Sequence, residues 1–146
     1  MRLAIAKARE GIDQGQLPFG AVIVKNRRII SKTHNTIYED SSILSHAETN
    51  AIIEACRKLR TLDLAGCTLY ATCEPCPMCF GACVLAGISR LVYSSRLEDG
   101  IIPGFSILAI KSNELKEKGH SEIEITEDCL REEGIALFDL WSRRRG

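Results

Sequence analysis

Thr68-Leu69-Tyr70-Ala71-Thr72 reads as a strand and runs through Cys73-Glu74 straight into Pro75-Cys76-Pro77-Met78-Cys79. β-branched and aromatic residues favour extended chain, and a proline, which has no N–H to give a ladder, stops it. Proline is tolerated in the first turn of a helix, where its missing N–H would have had no partner. A helix therefore begins near Pro75. A strand that turns directly into a helix is the building unit of a layered α/β protein, and the rest of the chain must be compatible with that.

Ile5, Ala8 and Ile12 recur at helical spacing, and Gly11 and Gly15 weaken and end that pattern. Gly20-Ala21-Val22-Ile23-Val24 and Ile29-Ile30-Ser31-Lys32-Thr33, separated by Asn26-Arg27-Arg28, predict a hairpin. Ala47, Ala51, Ala55 and Leu59 make a second helical stripe. After the proline-marked helix come a short strand at Leu91-Val92-Tyr93 and a loop from Glu98 to Gly104. A helix to about Lys118, a strand at Ile123-Glu124-Ile125 and a last helix with Leu130, Leu137 and Trp141 complete the order. The expected fold is α/β: a three-layer α/β/α sandwich whose mixed sheet has about five strands, with helices on both faces. With 146 residues, 45% of them hydrophobic, and no repeat or long linker, residues 1–146 are expected to form a single domain.

Charge narrows the partners. Basic and acidic side chains each number 19, so no global field draws the chain to nucleic acid or anionic lipid. Residues 1–95 hold eleven basic and eight acidic side chains, and the remainder eight and eleven. A small-molecule substrate suits that balance better than a polyanion. No run of 18 apolar residues and no leader-like start occurs, so a cytoplasmic protein that does not span a membrane is expected. Seven cysteines, an odd number clustered in mid-chain, point to reduced thiols and a metal rather than to disulfides.

His46-Ala47-Glu48 opens one predicted helix and Pro75-Cys76-Pro77-Met78-Cys79 another, so both helix starts can face one spot. Cys76 and Cys79 lie three apart, as neighbours on one face. One imidazole and two thiolates give Zn2+ three protein ligands, the number of a catalytic site that keeps a fourth position for water. Glu48, beside the metal but not bound to it, is the candidate proton carrier. Two rival readings use the same residues. A closed structural zinc site would need a fourth ligand from Cys73, Cys83, His34 or His120 and would leave Glu48 without a task. Cys73, Cys76, Cys79 and Cys83 also spell an iron–sulfur spacing, but Val84 stands where that pattern has proline, and no second copy exists.

His46-Ala47-Glu48 together with Pro75-Cys76-Pro77-Met78-Cys79 resembles the cytidine and nucleobase deaminase superfamily, whose signature is H-x-E followed by P-C-x-x-C. Pro18-Phe19-Gly20, His34-Asn35 and Thr72 to Cys79 extend the resemblance, over about the first hundred residues, to bacterial guanine and nucleoside deaminases. It implies a zinc-dependent hydrolase of C–N bonds in cyclic amidines that releases ammonia from a free nucleobase or nucleoside, and a homodimer. Asn35 is then expected to hydrogen-bond the ring and the N–H of Ala47 to fix its exocyclic or carbonyl group. Asn35 could equally end a strand by bonding its own backbone. Phe19 either stacks on the base or belongs to the core. Trp141, or Phe138, is a candidate cover over the site, against plain packing on the sheet.

Among substrates, guanine comes first, on the Thr72 to Cys79 stretch and on Gly104-Phe105. Guanine deaminases carry acidic residues after that pair, where this chain has Ser106-Ile107-Leu108, so Glu98 or Asp99 is the candidate substitute. Gly119-His120 resembles fungal-type cytosine deaminases and makes cytosine or a related pyrimidine next. A tRNA-specific adenosine deaminase is the alternative. Those editors carry a basic loop where this chain reads Ser94-Ser95-Arg96-Leu97-Glu98-Asp99-Gly100, and Arg143-Arg144-Arg145 is as readily a helix end as a phosphate contact. An alternative of another class, a catalytically silent zinc-stabilised binding module, would have no need of Glu48.

Overall fold

A computed structural model describes residues 1–102 and 106–145. Five strands form one sheet in the order β2-β1-β3-β4-β5: β1 Gly20–Lys25, β2 Arg28–His34, β3 Cys67–Cys73, β4 Arg90–Ser95 and β5 Glu124–Thr126. β1 is antiparallel to both β2 and β3, whereas β3, β4 and β5 run parallel. Asn26 and Arg27 both take positive φ, the two-residue turn whose twist matches a hairpin. The helices are α1 Arg2–Asp13, α2 Ala47–Leu59, α3 Pro77–Leu85, α4 Ser112–Lys118 and α5 Arg131–Arg145. The mixed five-stranded sheet between helices is the expected α/β sandwich.

Strand side chains alternate between two cores. Ala21, Ile23, Leu69, Ala71, Leu91 and Tyr93 face α2 and α3, whose Ala51, Ala55, Phe80 and Cys83 are buried against them. On the other side Ile5, Ala8 and Ile12 of α1 pack with Leu137 and Trp141 of α5. The backbones approach closely there: a Cβ at Gly20 would collide with Ala4 O, and one at Gly134 with the Ser94 side chain. Among the described residues no helix is long and apolar enough to cross a membrane.

Several boundaries move for local reasons. The metal-side helix starts at Pro77 rather than near Pro75, because Cys76 precedes a proline and is held extended at φ −63, ψ 165. The last strand is Glu124–Thr126, one residue later than its apolar pattern suggested. Leu130 lies before α5 with φ 56. The loop expected from Glu98 contains a 3₁₀ turn, Leu97–Gly100.

The register decides where chemistry can gather. Gly20 pairs with His34, Ala21 with Ala71, and Cys73 with Ser95. The start of β1 and the ends of β2, β3 and β4 therefore meet at one sheet edge, which brings Phe19, Asn35, Glu74 and Arg96 together. Carboxyl ends of parallel strands are where open α/β sheets bind ligands.

Candidate active site

Three residues from two helix starts converge at that edge. His46 caps α2 in an extended conformation. Its helix is pinned to β2 by Thr33 Oγ1 donating to Ala47 O at 2.7 Å and Asn50 Nδ2 donating to His34 O at 3.1 Å. Cys76 caps α3, and Cys79 follows in its first turn. His46 Nδ1 lies 3.8 Å from Cys76 Sγ and 3.5 Å from Cys79 Sγ, with all three ligand atoms within 4.8 Å of one another. Tetrahedral zinc, with bonds of about 2.0 Å to nitrogen and about 2.3 Å to sulfur, separates its ligand atoms by roughly 3.5–3.8 Å. The donor set fits zinc in chemistry and in spacing.

Without a cation, the two thiols divide their protons unevenly. Cys76 is pushed down to about 4, first by the hydrogen bond from Cys79, against burial and with His46 adding to the pull. Cys79 is pushed up by the same bond and by burial. Cys73 and Cys83 stand outside the ligand group among the described residues. Cys73 Sγ is 3.5 Å from Arg96 O, and burial raises its thiol to about 12. Cys83 is fully buried in the core, and burial raises it as well. The four-cysteine cluster is not assembled.

Glu48 is buried in the first turn of α2, and burial pushes its carboxyl above the usual range against the opposing pull of His46. Together with His46 and Cys76 it faces a chamber of about 50 Å³. Phe19, Cys73, Glu74, Leu97, Gly100, Ile102 and Ile107 complete the lining. Phe19 meets Phe138 edge-on, with ring centroids 6.0 Å apart. Ala47 is the first residue of α2, so its N–H has no acceptor within the helix. Asn35 combines features of both expectations: Oδ1 accepts from Ile37 N in a local turn, while Nδ2 is buried without a hydrogen-bond partner among the described residues.

Other expected residues are elsewhere. Trp141 does not line the chamber. Its ring is buried against α1 and its Nε1 donates to Gln16 O, because α5 crosses the far face of the sheet. Of the two candidate covers, Phe138 is the nearer, since a Cβ at Gly100 would stand 3.1 Å from both Phe138 and Cys73 Sγ. Glu98 and Asp99 are engaged too: Glu98 pairs with Lys111 at 3.0 Å, and Asp99 accepts from Arg96 N and from the Arg131 fork. Gly104 and Phe105 lie outside the described residues. Glu74 is a second buried acid of the chamber, beside Glu48, to which the sequence pattern assigns no role. A charged residue closing an apolar strand was its one available sign.

Residues 1–95 match the profile of the cytidine and deoxycytidylate deaminase zinc-binding region. The chain belongs to this family. The deaminase is 36% identical over 143 residues to the tRNA-specific adenosine deaminase of Bacillus subtilis, covering 98% of this chain and 86% of that one. It is 40% identical over 106 residues to the guanine deaminase of the same organism, covering 72% and 68%. The structure of guanine deaminase from Nitrosomonas europaea has a TM-score of 0.85 to it at 28% identity, covering 96% of this chain and 81% of that one. The chain is thus a zinc-dependent deaminase, a hydrolase of C–N bonds.

Proposed function

We propose that this deaminase removes the exocyclic amino group of a free nucleobase or nucleoside, with guanine the first substrate to test and cytosine or a related pyrimidine the second. The observation that carries the reading is the surface outside the chamber. Beside His46 and Cys76 it is lined by Ile43, Pro77, Met78, Ser106, Ile107 and Leu108, with no lysine or arginine among the described residues. A base flipped out of a nucleic acid brings phosphates with it, and these call for cations at the mouth. Two of the three C-terminal arginines are engaged elsewhere: Arg144 pairs with Asp13 at 2.8 Å, and Arg145 stacks over Trp141 at 4.7 Å.

His46, Cys76 and Cys79 would hold the metal. When bound, zinc supplies the Lewis acidity that lets a water molecule lose a proton near neutral pH. Glu48 would accept that proton and deliver it to the ring nitrogen, then take a second proton from the hydroxyl added to the ring carbon and deliver it to the departing amine, which leaves as ammonia. Its buried carboxyl, raised above the usual range, suits both acceptance and release. The free Nδ2 of Asn35 and the N–H of Ala47 supply donors to the ring, and Phe19 an aromatic face. The apolar walls exclude bulk water. Exposed Val84 and Leu85 on α3 give apolar surface for the homodimer included in this reading.

A second reading, adenosine in transfer RNA, is favoured by the similarity to the B. subtilis tRNA enzyme over nearly the whole chain. Ammonia release by the zinc-loaded protein from guanine, cytosine, their nucleosides and transfer RNA separates the two. Turnover confined to transfer RNA, with steeply salt-dependent binding, would overturn the first reading.

A further inference from the structure

Glu74 is a buried carboxylate one strand-end away from the ligand turn, and both its oxygens are committed. Oε2 accepts from the N–H of Leu97 at 3.1 Å and Oε1 from the N–H of Ser112 at 2.7 Å. These two residues flank the stretch that supplies Leu97, Gly100, Ile102 and Ile107 to the chamber. One side chain therefore ties down both ends of the chamber's outer wall. Among the described residues the stretch also carries two ion pairs: Glu98 with Lys111, both about half exposed, and the mostly buried Asp99 with the Arg131 fork, which ties Asp99 to the start of α5 and not to Ser112. The half-exposed Glu98–Lys111 pair holds little, whereas a buried carboxylate receiving two backbone N–H groups makes two charge-assisted bonds.

We propose that Glu74 is a positioning residue for substrate: by clamping Leu97 and Ser112 it sets the distance between the outer wall and the metal-side floor, and so decides which ring fits. This rests on the reading of the chamber as the base site. The described wall residues, Leu97, Gly100, Ile102 and Ile107, carry no titratable or metal-binding side chain, so loosening them weakens binding of substrate and transition state alike.

Two variants break the clamp from opposite ends. Glu74→Gln puts an amide NH2 against a backbone N–H. Ser112→Pro removes the other donor and leaves the carboxylate in place. Proline suits that position, the first of α4, because Lys111 before it is already extended at φ −72, ψ 151. The serine hydroxyl has no hydrogen-bond partner to lose among the described residues. Zinc content, KM and kcat for guanine and cytosine, and the rate of zinc transfer to a colorimetric chelator are measured on both variants and on their combination.

Both variants are expected to keep one zinc per chain. KM for the preferred base should rise about tenfold or more, with kcat within about threefold of the parent. The preference between the two bases should narrow, and zinc should pass to the chelator about tenfold faster. The double variant should add little to either single change. Unchanged KM and transfer rate in Ser112→Pro would overturn the proposal, even if Glu74→Gln lost zinc or failed to fold, since Glu74 would then support the ligand turn alone. A parent protein inactive on every base would sink the substrate reading, and the chelator rates would still report on the clamp.

Discussion

Trp141 Nε1 donates to the carbonyl of Gln16 at 3.1 Å, fastening the last helix to the chain that leaves the first. Trp141→Phe keeps an aromatic ring and removes that bond, along with the best platform for the Arg145 guanidinium. The expected loss is about 1 kcal/mol, or about 3 °C in Tm for a chain of this size, with kcat and KM unchanged. Thermal melting and steady-state kinetics on one preparation check it, and a large KM change would return Trp141 to the substrate's surroundings.

Glu48→Gln preserves size and most hydrogen bonding and removes the ability to take a proton. Zinc content and ligand affinity should survive, and ammonia release should fall by at least ~10²–10⁴-fold. A variant that kept its zinc and turned over near the parent rate would take Glu48 out of the mechanism.

Zinc should be lost from Cys76→Ser and from Cys79→Ser, because a neutral hydroxyl replaces a thiolate poorly. Cys73→Ser and Cys83→Ser should retain it. The fully buried Cys83 should show a stability loss of about 1–3 kcal/mol from a hydroxyl placed in an apolar core. Elemental analysis decides. Metal loss on changing Cys73 or Cys83, or iron with inorganic sulfide in the parent, would restore the four-cysteine cluster.

Stripped of metal, the protein should be alkylated first at Cys76. Its pKa of about 4 leaves it a thiolate at pH 6, where an ordinary thiol near 8.5 is about 0.3% ionised. Cys73 and Cys83, buried and raised, should lag. The sign is that of a depressed acid: reactivity persists from neutral pH downwards and fades as pH falls through about 4. Peptide mapping after brief iodoacetamide treatment, with and without added zinc, reads it. Equal labelling of all three would contradict the assignment.

The ligand triad was legible because its spacing is local: His46 and Glu48 lie on one helix start, Cys76 and Cys79 on one helical face. The strand and helix order was legible for the same reason, since Ala47, Ala51 and Ala55 form a stripe whatever they pack against. Trp141 shows where that reasoning stops. Periodicity says that a side chain faces inward, and only the crossing of α5 over α1 says that it meets Gln16 rather than the chamber. Glu74 was out of reach for a different reason. Its partners are backbone N–H groups 23 and 38 residues away, and a backbone group leaves no mark in the residue pattern. The pairing of Glu98 with Lys111 and of Asp99 with Arg131 was not legible either, because those partners come from later in the chain.

Thirty residues separate the imidazole of the site from its first thiol, and α2 with the whole of β3 lies between them. The socket exists only after α2 has docked, a step secured by Ser31 Oγ donating to Ala51 O at 2.9 Å and by an apolar core cluster that includes none of the three metal donors. Folding therefore comes before loading, the reverse of a zinc finger, whose chain collapses only around its ion. A cell starved of zinc would then hold folded but idle enzyme, and a returning supply would restore activity without new synthesis.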